Sequence, residues 1–213
     1  LKTDGSGNLG WTAAGGGGAI DGLSDAKLEG TDFTGSMIIG HQTTGTLDAA
    51  ERNTAVGIGS LDAITSGDRN TAIGYNALTA NTTGERNTAT GVYSLFNNTI
   101  GNYNTASGHS SMSQNTEGNY NTASGHASLA NTTGNSNTAF GYQAGDVITT
   151  GSNNVLIGKD ADPSANNATN QIVIGQGATG TTDNTVLLGN GSITNWLPTD
   201  TNEVDLGSST KEM

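Results

Sequence analysis

The sequence predicts an all-β fold, a parallel β-solenoid of about ten coils, from three observations. The stretches ERNTAVGIGSL at Glu51, DRNTAIGYNAL at Asp68 and ERNTATGVYSL at Glu85 recur at an interval of 17 residues. A period this short marks coils that bury an apolar side only by stacking on their neighbours. Only 32% of the 213 residues are hydrophobic and 12% charged, with 33 glycines, so the chain has neither an ordinary globular core nor the dense charge of a disordered one. Gly, Asn and Thr are poor helix formers, and a 17-residue unit is too short for a helix pair, which leaves short strands joined by turns.

Residues 1–35, with GGGG at 15–18, read as an N-terminal linker or connector. The repeat array is expected over 36–189. Its motif glycines are Gly40, Gly57, Gly74, Gly91, Gly108, Gly125, Gly141, Gly158, Gly175 and Gly189, and at ~4.8 Å per coil it spans on the order of 45 Å. The residues before each glycine alternate: Val155 and Ile157 share one face and Leu156 takes the other. In the middle coils the intervening position is always Ala (Ala55, Ala72, Ala89, Ala106, Ala123, Ala139), and this small-residue face is expected to pack against further copies of the chain. Leu61, Leu78, Leu95, Met112 and Leu129 add one large apolar residue per coil, four places past the glycine.

Asn53, Asn70, Asn87, Asn104, Asn121 and Asn137 recur at one place, which suits either a turn or a ladder of amides bonded along the axis. Thr54, Thr71, Thr88, Thr105, Thr122 and Thr138 form a second column. Residues 190–213 read as an exit or neck segment, with Trp196 and Leu197 capping the last coil and Pro198 ending the strand.

The formal charge of −12 with seven Lys and Arg argues against nucleic acid as a partner. No window is apolar enough for a membrane-spanning helix, so membrane insertion is not expected. Cysteine is absent, which excludes disulfides and thiolate metal sites. No nucleophile elbow, Walker loop, HExxH motif or calcium-binding nonapeptide appears, so neither catalytic residues nor cofactors are expected.

Candidate contact residues lie in two columns. His109 and His126 follow motif glycines on adjacent coils, as does His41 further upstream; stacked or surface histidine is the simpler reading, although a threefold axis would gather six imidazoles for a transition metal. Arg52, Arg69, Arg86, Tyr103 and Tyr120 form the other column, beside Glu51, Asp68 and Glu85. It places Arg86 over the Tyr103 ring and sets Tyr103 and Tyr120 in a row suited either to structural stacking or to sugar rings. Ice binding by the threonine column ranks third among the functional readings, because only Thr88 and Thr90 pair within one motif.

VLIGKDA, IVIGQGA and TAIGYNAL resemble the V-A-I-G-x-x-[SA] head repeats of YadA-like trimeric autotransporter adhesins over residues 36–192. The repeat here is longer than the family's, and its first motif residue is often Thr in place of Val. The resemblance implies a left-handed parallel β-roll assembled as a homotrimer and used for surface adhesion. LKTDGSGNLGWTAAGGGG and EVDLGSST resemble segments of phage tail fibres, which shifts the expectation toward a non-enzymatic virion fibre contacting a host-surface receptor or glycan. A bacterial surface adhesin head is the alternative.

Overall fold

The computed structural model describes residues 50–192 and four short segments at 2–3, 9–10, 26–28 and 37–39. Gly40, His41, Trp196, Leu197 and Pro198 lie outside the described residues, as does most of the expected connector and exit segment. Strands β1 (Lys2–Thr3) and β2 (Leu9–Gly10) pair antiparallel. A second sheet holds β3 (Ala26–Leu28), β4 (Met37–Ile39), β5 (Thr54–Val56), β6 (Thr71–Ile73), β7 (Thr88–Thr90), β8 (Thr105–Ser107), β9 (Thr122–Ser124), β10 (Thr138–Phe140), β11 (Val155–Ile157), β12 (Ile172–Ile174) and β13 (Val186–Leu188). From β4 to β13 every neighbour is parallel and in chain order, while β3 runs antiparallel beside β4. This is the predicted all-β parallel solenoid, with about eight turns between β5 and β13 and a repeat of about 17 residues.

Identical motif positions meet across the sheet: Ala55 pairs with Ala72, Ala72 with Ala89, and Ala89 with Ala106. Each strand ends at the motif glycine, where φ is near +137° at Gly74 and Gly108. A Cβ on Gly74 would lie 2.5 Å from the carbonyl oxygen of Gly91, so the glycines form a spine of backbone stacked on backbone that admits no side chain.

The alternation within strands is as expected, but the alanine face is not an interface. Ala55, Ala72, Ala89, Ala106, Ala123 and Ala139 are fully buried inside the chain's own coils, in one cluster with Leu61, Leu78, Leu95, Met112 and Leu129. The close neighbour that keeps these positions small is therefore the chain's own large residue from the turn. Coil β11 shows the reciprocal: Gly145 stands in the leucine column, Leu156 stands in the alanine column, and Leu156 Cδ1 lies 2.5 Å from where a Gly145 Cβ would be. Bulk has moved from turn to strand, where Leu156 takes the space a side chain at 145 would need.

The recurring asparagines form a buried axial ladder, which settles the choice between turn and ladder. Asn53 Oδ1 accepts the backbone N–H of Asn70 at 2.8 Å, and the same bond repeats from Asn70 to Asn87, Asn87 to Asn104, Asn104 to Asn121, Asn121 to Asn137, Asn137 to Asn154 and Asn154 to Gln171. Each asparagine Nδ2 donates to a carbonyl thirteen or fourteen residues on, as Asn104 does to Gly118 O and Asn121 to Gly134 O, both at 2.8 Å. Each amide thus clasps the next coil by both ends.

A second ladder, Asn81, Asn98 and Asn115, runs beside the first. Asn98 Nδ2 donates to Asn81 Oδ1 and Asn115 Nδ2 to Asn98 Oδ1, both at 2.8 Å. The two ladders converge on shared carbonyls: Gly118 O accepts from Asn104 at 2.8 Å and from Asn115 at 3.1 Å, filling both lone pairs. A Cβ on Gly118 would strike both Asn115 Oδ1 and the carbonyl oxygen of Gly134, and the same clash with the next coil's carbonyl oxygen keeps Gly67, Gly84, Gly101, Gly134 and Gly151 in this column as glycine. Thr132 interrupts this ladder, and Asn115 Oδ1 and Thr132 Oγ1 are left buried without partners.

Two opposite stability changes are expected in thermal or urea unfolding. Asn104→Ala orphans the Asn121 N–H and removes one donor from Gly118 O, at a cost of about 3 kcal/mol. Thr132→Asn supplies the missing donor to Asn115 Oδ1 and stabilises by about 1 kcal/mol.

Candidate functional site

Because coils stack in register, every outward position becomes a row along the rod. One broad face carries the outer strand residues Val56, Ile73, Phe140 and Ile157 together with Ile58, Tyr75, Val92 and Tyr142, all exposed. Thr88, Thr90, Thr105, Ser107, Thr122 and Ser124 occupy the middle of the same face, so the threonine column lies on the sheet's outer side.

His109 and His126 meet on this face. Their rings stack at 5.1 Å with planes 5° apart, and His126 stacks in turn on Tyr142 at 5.2 Å. Ser110 Oγ lies 3.0 Å from His109 Nδ1. Tyr93, which shows no periodic signal in the sequence, extends the row by edge contacts to Tyr75, Phe96 and His109. Parallel imidazoles hold their nitrogen lone pairs side by side and do not converge on a point between the rings. Among the described residues no group of three or more His, Cys, Asp or Glu is arranged to hold a metal ion.

Tyr103 and Tyr120 meet in a separate row. Their rings stack at 5.0 Å and 16°, and the Arg86 guanidinium lies 4.9 Å above the Tyr103 ring, as the column alignment predicts. Arg86 also donates to the Tyr103 hydroxyl. The acids beside this column pair with their chain neighbours, Glu51 with Arg52 at 2.9 Å and Glu85 with Arg86 at 3.7 Å; exposed pairs of this kind contribute only ~0–1 kcal/mol each. No ring contact joins the tyrosine row to the histidine row among the described residues. The residues just before the tyrosines line a shallow depression of about 340 Å³, formed by Ile100, Asn102, Glu117, Asn119, Thr133 and Asn135. No helix among the described residues is long and apolar enough to cross a membrane.

One half-buried acid at the wall of the solenoid is unusual. Asp162 stands where earlier coils carry leucine, its Oδ1 is buried without a partner, and burial followed by the nearby Asp146 charge pushes its pKa from 3.8 up to about 6. The backbone N–H groups of Val147 and Gly145 pull the other way without cancelling this. Asp146 is raised too, mainly by burial.

Compared with known protein families and with curated proteins, the chain matches none.

The Asp162 shift has a definite sign. As pH rises from about 4 to 6 the unfolded chain releases this proton first, so stability falls through that window and is flat above it. After discounting for solvent at a half-exposed group the loss is ~1 kcal/mol. Asp162→Asn should remove that slope from a pH series of unfolding curves and stabilise the chain at pH 7.

Proposed function

We propose that the chain is a non-enzymatic segment of a homotrimeric fibre that spaces and presents a host-recognition surface on a virion. The observation that carries this reading is the broad outer sheet face. Val56, Ile73, Phe140 and Ile157 are between 38% and 46% exposed in the single chain, two apolar pairs with nothing over them that flank the uncharged Thr90, Ser107 and Ser124. The strand positions of that face hold no charged residue from β5 to β13, although the chain carries a net −12. Copies that repel one another elsewhere can approach there. Another copy also has the same axial pitch, so contacts made at one coil are repeated at the next.

This replaces the alanine face with the opposite face of the same strands as the meeting surface. The interior supports a structural role as well: the two asparagine ladders engage their amides in axial hydrogen bonds and leave little polar chemistry to act on a substrate. The number three and the virion setting follow the resemblance of the repeats and flanks to trimeric adhesin heads and tail fibres. A bacterial surface adhesin would use the same face in the same way.

Native mass spectrometry should give three times the 21.4 kDa chain mass. Ile73→Glu with Phe140→Glu should yield a monomer that keeps its β-type circular dichroism. A monomeric parent chain would overturn the proposal.

A further inference from the structure

Tyr120 is the last aromatic residue of its row, and its far side is open. Tyr103 is covered on one face by Arg86 and on the other by Tyr120. The next residue of the row is Ser136, too short to cover a phenol ring, and Tyr120 is the most exposed tyrosine among the described residues at 61%. Arg86 and Tyr103 brace the ring from behind, so it is held as a ledge and does not sweep freely.

Beside this ledge, the side chains of the depression form a directed set. Asn102 Nδ2 donates to Ile100 O at 2.8 Å and to Asn119 Oδ1 at 3.1 Å, and Asn119 Nδ2 donates to Glu117 O at 2.9 Å and to Asn135 Oδ1 at 3.3 Å. These bonds fix the amide planes and run in one direction along the rod. The relay stops at Asn135, whose Nδ2 makes no hydrogen bond within the described chain, leaving two donors directed to solvent. The Glu117 carboxylate likewise has no hydrogen bond or ion pair among the described residues. Two free donors and a free acceptor thus line one shallow depression of about 340 Å³, and Tyr120 follows Asn119 of that lining directly in the chain.

We infer that Tyr120, Glu117 and Asn135 form a saccharide subsite selective for neutral sugars, an inference that rests on the recognition role proposed above for its biological setting. A pyranose presents a C–H face that stacks on a phenol ring, and hydroxyls that both accept and donate. Asn135 Nδ2 supplies donors to ring or hydroxyl oxygens, and Glu117 accepts from hydroxyls. Glu117 also sets the selectivity. A carboxylated sugar would bring a second negative charge against an unpaired carboxylate on a chain of net charge −12.

The test is saturation-transfer NMR and calorimetric titration of the full chain with maltotriose and chitotriose as neutral probes and sialyllactose as the acidic one. At least one neutral trisaccharide is expected to bind with perturbation of the Tyr120 ring, and sialyllactose is not. Tyr120→Asn should weaken that binding about tenfold. This variant keeps the fold, since the same row carries Asn at 153, 170 and 184 with φ of 63°, 55° and 61°, close to the 60° of Tyr120. Glu117→Gln should narrow the discrimination against sialyllactose. Absence of binding by both neutral probes, or binding unchanged in Tyr120→Asn, overturns the subsite. The mass of the same samples separates the two readings: a trimer that ignores both sugars leaves the fibre standing, and a monomer that binds through Tyr120 leaves the subsite standing.

Discussion

The structure depends on satisfying buried polar groups along the axis instead of across a core. A coil of about 17 residues has a wall of backbone on every side, and its interior holds only a few apolar side chains, such as Ala72, Ala77 and Leu78. Backbone groups that turn inward at the corners have no water, and leaving one unpaired costs about 1–3 kcal/mol. The asparagines meet that demand because a carboxamide offers an acceptor and two donors in one plane. Asn104, for example, takes the Asn121 N–H and gives to the Gly118 carbonyl, so one side chain locks two points of the following coil.

The remaining rules of the repeat follow from that clasp. The shared carbonyls must belong to glycine, because a Cβ at Gly84, Gly101 or Gly118 would strike both a ladder amide and the next coil's carbonyl oxygen. The strand glycines must stay glycine because the next coil's backbone sits directly above them. The residue before each ladder asparagine is left-handed, with φ of 58° at Arg52 and Tyr103 and 60° at Tyr120, a conformation that costs a non-glycine residue of order 1–3 kcal/mol and survives only where its surroundings over-determine it. That corner also throws the side chain outward, which is why the arginine and tyrosine row stands on the surface while its neighbour Asn is buried.

Much of this was legible in the sequence, and the misses have physical causes. The period, the strand positions and the alternation within strands come from the motif itself, and same-column stacking put Arg86 over Tyr103 and His109 against His126. The direction of the alanine face is not legible there: the alanines face the chain's own interior and not another copy. An invariant small residue signals a close neighbour but not whose atoms it meets, and here the neighbour is the leucine four places past the glycine. The second ladder carries no clear sequence signal, because Asn81, Asn98 and Asn115 sit in turn-rich stretches and their column also holds Ile64, Thr132 and Ile148. Tyr93 joined the histidine row unannounced because its column otherwise holds Asn76, Ser110 and Ala127.

The outer face and the tyrosine ledge are consequences of the same stacking, since rows form outside only while the clasps hold inside. Hydrogen exchange followed by NMR at the side-chain Nδ2 groups and backbone amides of Asn70, Asn87, Asn104, Asn121 and Asn137 tests that clasp directly. Both kinds of proton are expected to exchange only through unfolding of the coils, with rates that follow denaturant as the whole array does. Side-chain amides exchanging at the rate of free asparagine while the strands stay protected would contradict it.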